Sequence, residues 1–360
     1  MPAKQPLRIL VINPGSTSTK VAVFEDEQLL FMENVTHHHT EIAAFQRIPD
    51  QHAFRRDAVL SFLERTKVDV SSLHAVVGRG GTLRPLVSGT YRVNKRMLEE
   101  LRNPDKERDH VVNLGAIIAD EIAQRAAIPA FIVDPVCVDE FEAVARIAGL
   151  PEIERKSLAH VLSLKAAARR AARDLCRPYD ELNLVVVHMG GGISVSAHRH
   201  GRMVDANQAL DGTGPFSPER AGGLPIGDVL RLAFSGKHTY EQLFRRFTRE
   251  GGLLAHLGSN DAREVEKRIA QGDDRARLVY EAMAYQIAKE IGLMSTVLHG
   301  RVDAIVLTGG LAHSQMLVQW IRERVEWIAS VLVYPGEDEM LAMAQGALRV
   351  LRGEEEVKEY

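Results

Sequence analysis

At 360 residues the chain is long enough for two domains with substantial cores. Its 45% hydrophobic and 26% charged residues are those of an ordinary globular protein, and a net charge of −3 without a long basic run gives no footing for nucleic acid as a partner. No apolar run reaches membrane-spanning length, so no membrane partner is expected. Cys137 and Cys176 have neither metal nor disulfide spacing, and the N-terminus leads into a strand without a signal-peptide pattern, so a cytoplasmic location is expected.

Residues 7–13 and 19–25 read as apolar strands joined by a polar turn, Asn13-Pro14-Gly15-Ser16-Thr17-Ser18-Thr19-Lys20. This turn offers backbone N–H groups, hydroxyls and one positive charge to a single point, which is what a phosphate needs. The Walker A spacing is absent and no helix follows, so the pattern points to strand-turn-strand phosphate binding, as in the actin-like ATPase fold. A plain polar hairpin turn is the alternative. Residues 28–33 read as a third strand after a hairpin at Glu25-Asp26-Glu27. The run His37-His38-His39 follows among polar residues without a metal-ligand pattern and is expected to be a solvated loop. A helix is predicted over 53–66, a strand over 74–77 ending in Gly78-Arg79-Gly80-Gly81, and a helix from Val111 to Ala126. The strand Ala130-Phe131-Ile132-Val133 ends in Asp134-Pro135, and 157–175 reads as a helix.

The opening theme then returns. Leu184-Val185-Val186-Val187-His188 is a strand, Met189-Gly190-Gly191-Gly192 a glycine turn, and Ile193-Ser194-Val195-Ser196-Ala197-His198 a second strand, with a third after Gly201. Strand, phosphate-type turn, strand, turn, strand therefore occurs twice, which predicts two like α/β domains with both turns on one cleft. Helices are predicted near 225–235, 239–249, 261–271 and 274–299, then the strand Ala304-Ile305-Val306-Leu307 before Thr308-Gly309-Gly310. A helix over 315–329, a strand over 331–333 and a helix over 338–352 complete the chain, with the tail Gly353-Glu354-Glu355-Glu356 expected to fray. The duplication places one domain at 1–150, joined by the C-terminal helix at 341–360, and the other at 151–340.

Ligands sit at strand ends in α/β proteins, and four strand ends here carry glycine clusters, at Gly15, Gly78–Gly81, Gly190–Gly192 and Gly309–Gly310. With these residues assembled, the chain resembles the acetate and butyrate kinase family, its butyrate branch in particular, within the actin/hexokinase/sugar-kinase superfamily. Asn13 to Lys20 matches the family's first phosphate motif, His188 to Ser194 its second, and Leu307 to His313 its adenosine motif. Arg79-Gly80-Gly81, Val133 to Val136 and Leu210 to Arg220 match further segments. The resemblance implies two ribonuclease-H-like domains with an interdomain active-site cleft, and homodimers or larger assemblies.

It also implies reversible transfer of the ATP γ-phosphoryl group to a short-chain carboxylate, giving an acyl phosphate and ADP. A carboxylic acid is already ionised at neutral pH, so the nucleophile needs no general base but does need charge neutralisation. By resemblance, Arg79, His160 and Arg220 are the catalytic residues. Asn13, Ser16, Ser18 and Lys20 handle phosphates from one domain, and His188 with Gly190, Gly191 and Gly192 from the other. Thr308, Gly309 and Gly310 face adenosine. Asp134 and Glu339 are the acids linked to Mg²⁺, with Glu337 as an alternative to Glu339. Ala159 stands where the family commonly has Phe, which would open the acyl pocket to isobutyrate or other branched acids, and Ser163 and Leu164 replace polar residues of the butyrate branch. Two alternatives are a sugar-type kinase, with Asp134 as the base for a hydroxyl, and an actin-like ATPase that is not an enzyme of this kind.

Overall fold

The apolar segments Arg8–Pro14 and Ala75–Gly78 are buried along nearly their whole length, as central strands covered on both faces must be. In a computed structural model, which describes residues 5–105, 108–210, 212–336 and 338–360, the chain divides into two compact units. One comprises Met1–Val138 with Asp338–Tyr360, the other Asp139–Glu337.

The first unit holds β1 (Arg8–Pro14), β2 (Ser18–Glu25), β3 (Gln28–Thr36), β4 (Ala75–Gly78), β5 (Thr90–Arg92) and β6 (Ala130–Val133). Their order is β3-β2-β1-β4-β6-β5. The first three form an antiparallel meander, and β4 and β6 then add in parallel to β1. The second unit holds β7 (Asn183–Met189), β8 (Ile193–Arg199), β9 (Arg202–Ala206), β10 (Ala304–Gly309) and β11 (Val331–Pro335), ordered β11-β10-β7-β8-β9. Again an antiparallel meander is followed by two parallel strands. The duplication read from the sequence is thus a duplication of topology, with β5 as an extra antiparallel edge in the first unit. Because β1, β4 and β6 run parallel, their C-terminal ends lie side by side, and the same holds for β7, β10 and β11.

Several local expectations are corrected. The helix predicted over 157–175 spans Val161–Asp174, so residues 157–160 precede it and His160 occupies its N-cap. Thr90–Arg92, Lys95–Arg102 and Gly252–Leu257 form elements that the periodicity did not reveal. The tail is docked: the Glu355 carboxylate accepts from the Thr90 N–H (2.7 Å) and from Arg349 Nε (2.7 Å), and the Lys358 N–H donates to the Thr90 carbonyl (2.9 Å). His37 is buried, not solvated, and its Nε2 lies 2.8 Å from Thr19 Oγ1. Among the described residues no helix is long and apolar enough to cross a membrane, and no group of His, Cys, Asp and Glu is arranged to hold a metal by itself.

Candidate active site

In the first unit, β1 and β2 pair Asn13 with Lys20, so these two side chains share one face of the ribbon. On that face Asn13 Nδ2 donates to Glu339 Oε2 (3.1 Å), and Arg79 Nη1 makes an ion pair with the same oxygen (2.6 Å). Arg79 follows the last residue of β4, and its N–H continues the ladder to the Ile12 carbonyl (2.8 Å). Glu339 opens the helix Glu339–Leu351. The structure therefore brings Asn13, Arg79 and Glu339 together. Ser16 and Lys20 are exposed and Ser18 is half-buried.

The glycines around Arg79 have a packing reason. A Cβ on Gly78 would collide with the Gly115 carbonyl, and one on Gly115 with the Arg79 carbonyl, so the helix Asn113–Ala123 rests its first turn directly on the Gly78–Arg79 backbone. Asp134 follows β6, is almost fully buried, and has φ of +39°, a conformation that non-glycine residues seldom adopt. Its Oδ1 accepts from Ser88 Oγ (2.5 Å) and from the Gly89 N–H (2.9 Å). Glu337, the alternative acid, and Asp211 of the Leu210-to-Arg220 segment lie outside the described residues.

On the opposite face of the turn lies a residue that the sequence reading did not single out. Arg55, in the helix His52–Arg65, is fully buried. It donates to the carbonyls of Gly15 (2.8 Å), Ser16 (3.0 Å) and Ser18 (2.9 Å), to Thr19 Oγ1 (3.2 Å) and to Gln51 Oε1 (3.1 Å). The available signal was periodicity: Arg55 shares the buried stripe of that helix with Val59, Phe62 and Leu63.

In the second unit the glycine turn after β7 gathers the other predicted residues. A Cβ on Gly192 would collide with the guanidinium of Arg220, which lies flat against this glycine. Arg220 Nη1 donates to the Ala209 carbonyl. Its Nε is buried and has no hydrogen-bond partner among the described residues. Burial lowers the Arg220 pKa and neighbouring Glu219 acts the other way, yet an arginine remains a cation at neutral pH. Ser217 fixes both parts, with its Oγ donating to the Gly191 carbonyl (2.5 Å) and accepting from the Arg220 N–H (3.1 Å).

His160 stacks on His188, with ring centroids 4.3 Å apart, and its Nδ1 lies 2.8 Å from Ser194 Oγ. Thr308 pairs with His188 across β10 and β7, and its Oγ1 donates to the Tyr334 carbonyl (2.9 Å). Gly309 has φ of +94° and touches the Met189 backbone, leaving no room for a side chain, whereas Gly310 faces open space. A cavity of about 660 Å³ joins Gly190, Gly191 and Gly310 to Asn260, Asp261 and Arg263, three polar residues that the sequence reading passed over. A second cavity, about 200 Å³ and mainly apolar, runs from Arg220 along Ile193, Leu210, Leu224, Leu230 and Phe247. Ala159 lies near its wall, because the Ala209 N–H donates to the Leu158 carbonyl (3.1 Å) and Ala209 lines the cavity.

A model of the acetokinase family matches residues 152–333. Among solved structures, acetate kinase from Porphyromonas gingivalis matches with a TM-score of 0.75 at 19% identity, covering 96% of this chain and 100% of that one. A propionate kinase from Francisella tularensis matches with a TM-score of 0.74 at 20% identity, covering 94% and 98%. Acetate kinase from Entamoeba histolytica matches with a TM-score of 0.74 at 15% identity, covering 96% and 100%. The fold is thus the duplicated, actin-like α/β fold expected from the sequence.

Proposed function

The chain belongs to the acetokinase family, and on that premise we propose that it phosphorylates a short-chain carboxylic acid with ATP, with butyrate or a branched four- or five-carbon acid as the preferred substrate. The observation that carries this reading is Arg220: a half-buried arginine packed on a phosphate-type glycine turn, its Nε buried and without a hydrogen-bond partner among the described residues, beside an apolar cavity. A buried donor of that kind calls for an anionic oxygen, and the cavity suits an alkyl chain attached to it.

In the proposed reaction one carboxylate oxygen forms a bond to the γ-phosphorus while the bond to the bridging β,γ-oxygen breaks. ADP leaves with that electron pair. The acceptor arrives ionised, so no residue has to remove a proton. Arg220 and Arg79 neutralise charge on the acceptor and the transferring group, and His160, oriented by Ser194, donates to the latter. Asn13, Ser16, Ser18 and Lys20 take phosphates in the first unit; His188 and Gly190 to Gly192 take them in the second. Thr308, Gly309 and Gly310 border the adenosine. Asp134, just after β6, and Glu339, at the start of its helix, carry hard carboxylate oxygens and would hold Mg²⁺, which together with phosphate oxygens and water needs only one or two such ligands. When bound, Mg²⁺ neutralises phosphate charge.

A hydroxyl-directed kinase would require Asp134 as a base, but its Oδ1 already accepts from Ser88 and Gly89, which disfavours that oxygen as a proton acceptor. The expected result with ATP, Mg²⁺ and hydroxylamine is acyl hydroxamate from butyrate, isobutyrate and isovalerate, little from acetate, and no phosphorylated product from glycerol. Ala159→Phe is expected to reduce the branched acids more than butyrate, by about tenfold for a pocket filled by one ring. Equal rates with acetate and isobutyrate would remove the assignment of Ala159 to specificity.

We also propose a homo-oligomer. The helix Ile226–Ala233 has no buried residue, and Phe234, just past its end, is exposed by 86%. Phe234→Asp is expected to shift the protein towards monomer in light scattering coupled to size exclusion. An unchanged mass for this variant, with the wild type a dimer, would place the interface elsewhere.

A further inference from the structure

A buried charge is costly unless it is paired. Arg55 is fully buried, and among the described residues no carboxylate lies within ion-pair distance of it. All its partners are neutral: three carbonyls of the turn between β1 and β2, one hydroxyl and one amide oxygen. Burial pushes its pKa down to about 10, so the charge persists at neutral pH. His37, on the adjoining loop, is held below its ordinary value, first by burial and then by Arg55 itself, with Glu41 acting the other way. Among the described residues no carboxylate pairs with the guanidinium.

The direction of its hydrogen bonds matters. Carbonyl oxygens repel an anion, and Arg55 draws those of Gly15, Ser16 and Ser18 to the helix side of the turn. The other side, where Asn13 and Lys20 lie, is thereby cleared of those carbonyls; the Glu339 carboxylate on that side is held by Asn13 and Arg79. We infer that Arg55 is the positioning residue of the first phosphate turn, turning its carbonyls away from the ligand and supplying a buried positive charge that the terminal phosphates of the nucleotide neutralise. This inference rests on the nucleotide reading given above.

The test compares Arg55→Gln and Arg55→Lys in the full-length protein. Titration with Mg²⁺ and a non-hydrolysable ATP analogue is set beside titration with AMP, which lacks the terminal phosphates. Arg55→Gln is expected to weaken the analogue and raise the KM for ATP by about tenfold or more, the scale of one lost charge-assisted contact. AMP affinity and the KM of the carboxylic acid should stay within about twofold of wild type on the same reasoning. Arg55→Lys keeps the charge but loses the fork, so it should recover part of the affinity. Wild-type analogue affinity in Arg55→Gln, or an equal loss for AMP, would overturn the inference. If Arg55→Gln does not fold, Arg55→Lys decides: an unchanged KM for ATP overturns it. A wild-type protein that binds neither nucleotide would instead refute the nucleotide reading.

Discussion

Arg220→Gln is expected to lower kcat on the order of 10³-fold, the scale seen when a cation is removed from a phosphoryl-transfer site, while the protein stays folded. The guanidinium lies on Gly192 with one nitrogen fixed to the Ala209 carbonyl and, among the described residues, Nε left without a partner. On the proposed function it is pre-placed for an oxygen that carries charge, and little reorganisation is needed when that charge develops. Glutamine fits the same space but brings no charge. Arg220→Lys should recover little, because a single ammonium cannot hold the Ala209 carbonyl and reach the ligand at once. Steady-state rates with butyrate, together with an unchanged unfolding midpoint, would check this. A kcat within about tenfold of wild type would remove Arg220 from the reacting groups, since even one lost oxyanion donor costs more.

Gly78→Ala is expected to have the largest effect on stability. The added methyl would meet the backbone of Gly115 and the N–H of Ala116, and neither can rotate aside. Overpacking against rigid backbone lies at the upper end of the usual range, about 3 kcal/mol. For the unfolding of a unit the size of Met1–Val138 with Asp338–Tyr360, that corresponds to a fall in Tm on the order of 10 °C. The same methyl would push the helix Asn113–Ala123 off the Arg79 backbone, so activity should fall even in molecules that remain folded. Thermal unfolding followed by circular dichroism measures the first effect. A Tm within about 2 °C of wild type, less than 1 kcal/mol, would mean that the helix can shift freely and that Gly78 does not fix Arg79.

The parts of the site that were legible in the sequence are those built from consecutive residues. The turn from Asn13 to Lys20 and the glycines after His188 announce themselves by composition, and their repetition announces the duplicated sheet. The contacts that complete each of them are not local. Arg220 packs on Gly192, and His160 is oriented by Ser194, yet neither pair lies close in sequence. Arg55 bonds mainly to backbone carbonyls, which leave no mark on the residues that carry them. His37 was read as solvated because its neighbours are polar; Thr19 and Phe54, far along the chain from it, bury it. The tail followed the same logic in reverse. A run of glutamates reads as frayed until Arg349 and the Thr90 N–H give one of them partners.

The central claim is that a carboxylate oxygen attacks the γ-phosphorus, and an isotope transfer tests it most directly. Butyrate labelled with ¹⁸O at both carboxylate oxygens is incubated with the protein, ATP, Mg²⁺ and hydroxylamine, and the released phosphate is analysed by mass spectrometry. Hydroxylamine attacks the acyl carbon and expels phosphate with its bridging oxygen. The account predicts one ¹⁸O in the phosphate released with each hydroxamate. Unlabelled phosphate with no hydroxamate, or phosphate transfer to glycerol in place of butyrate, would contradict it.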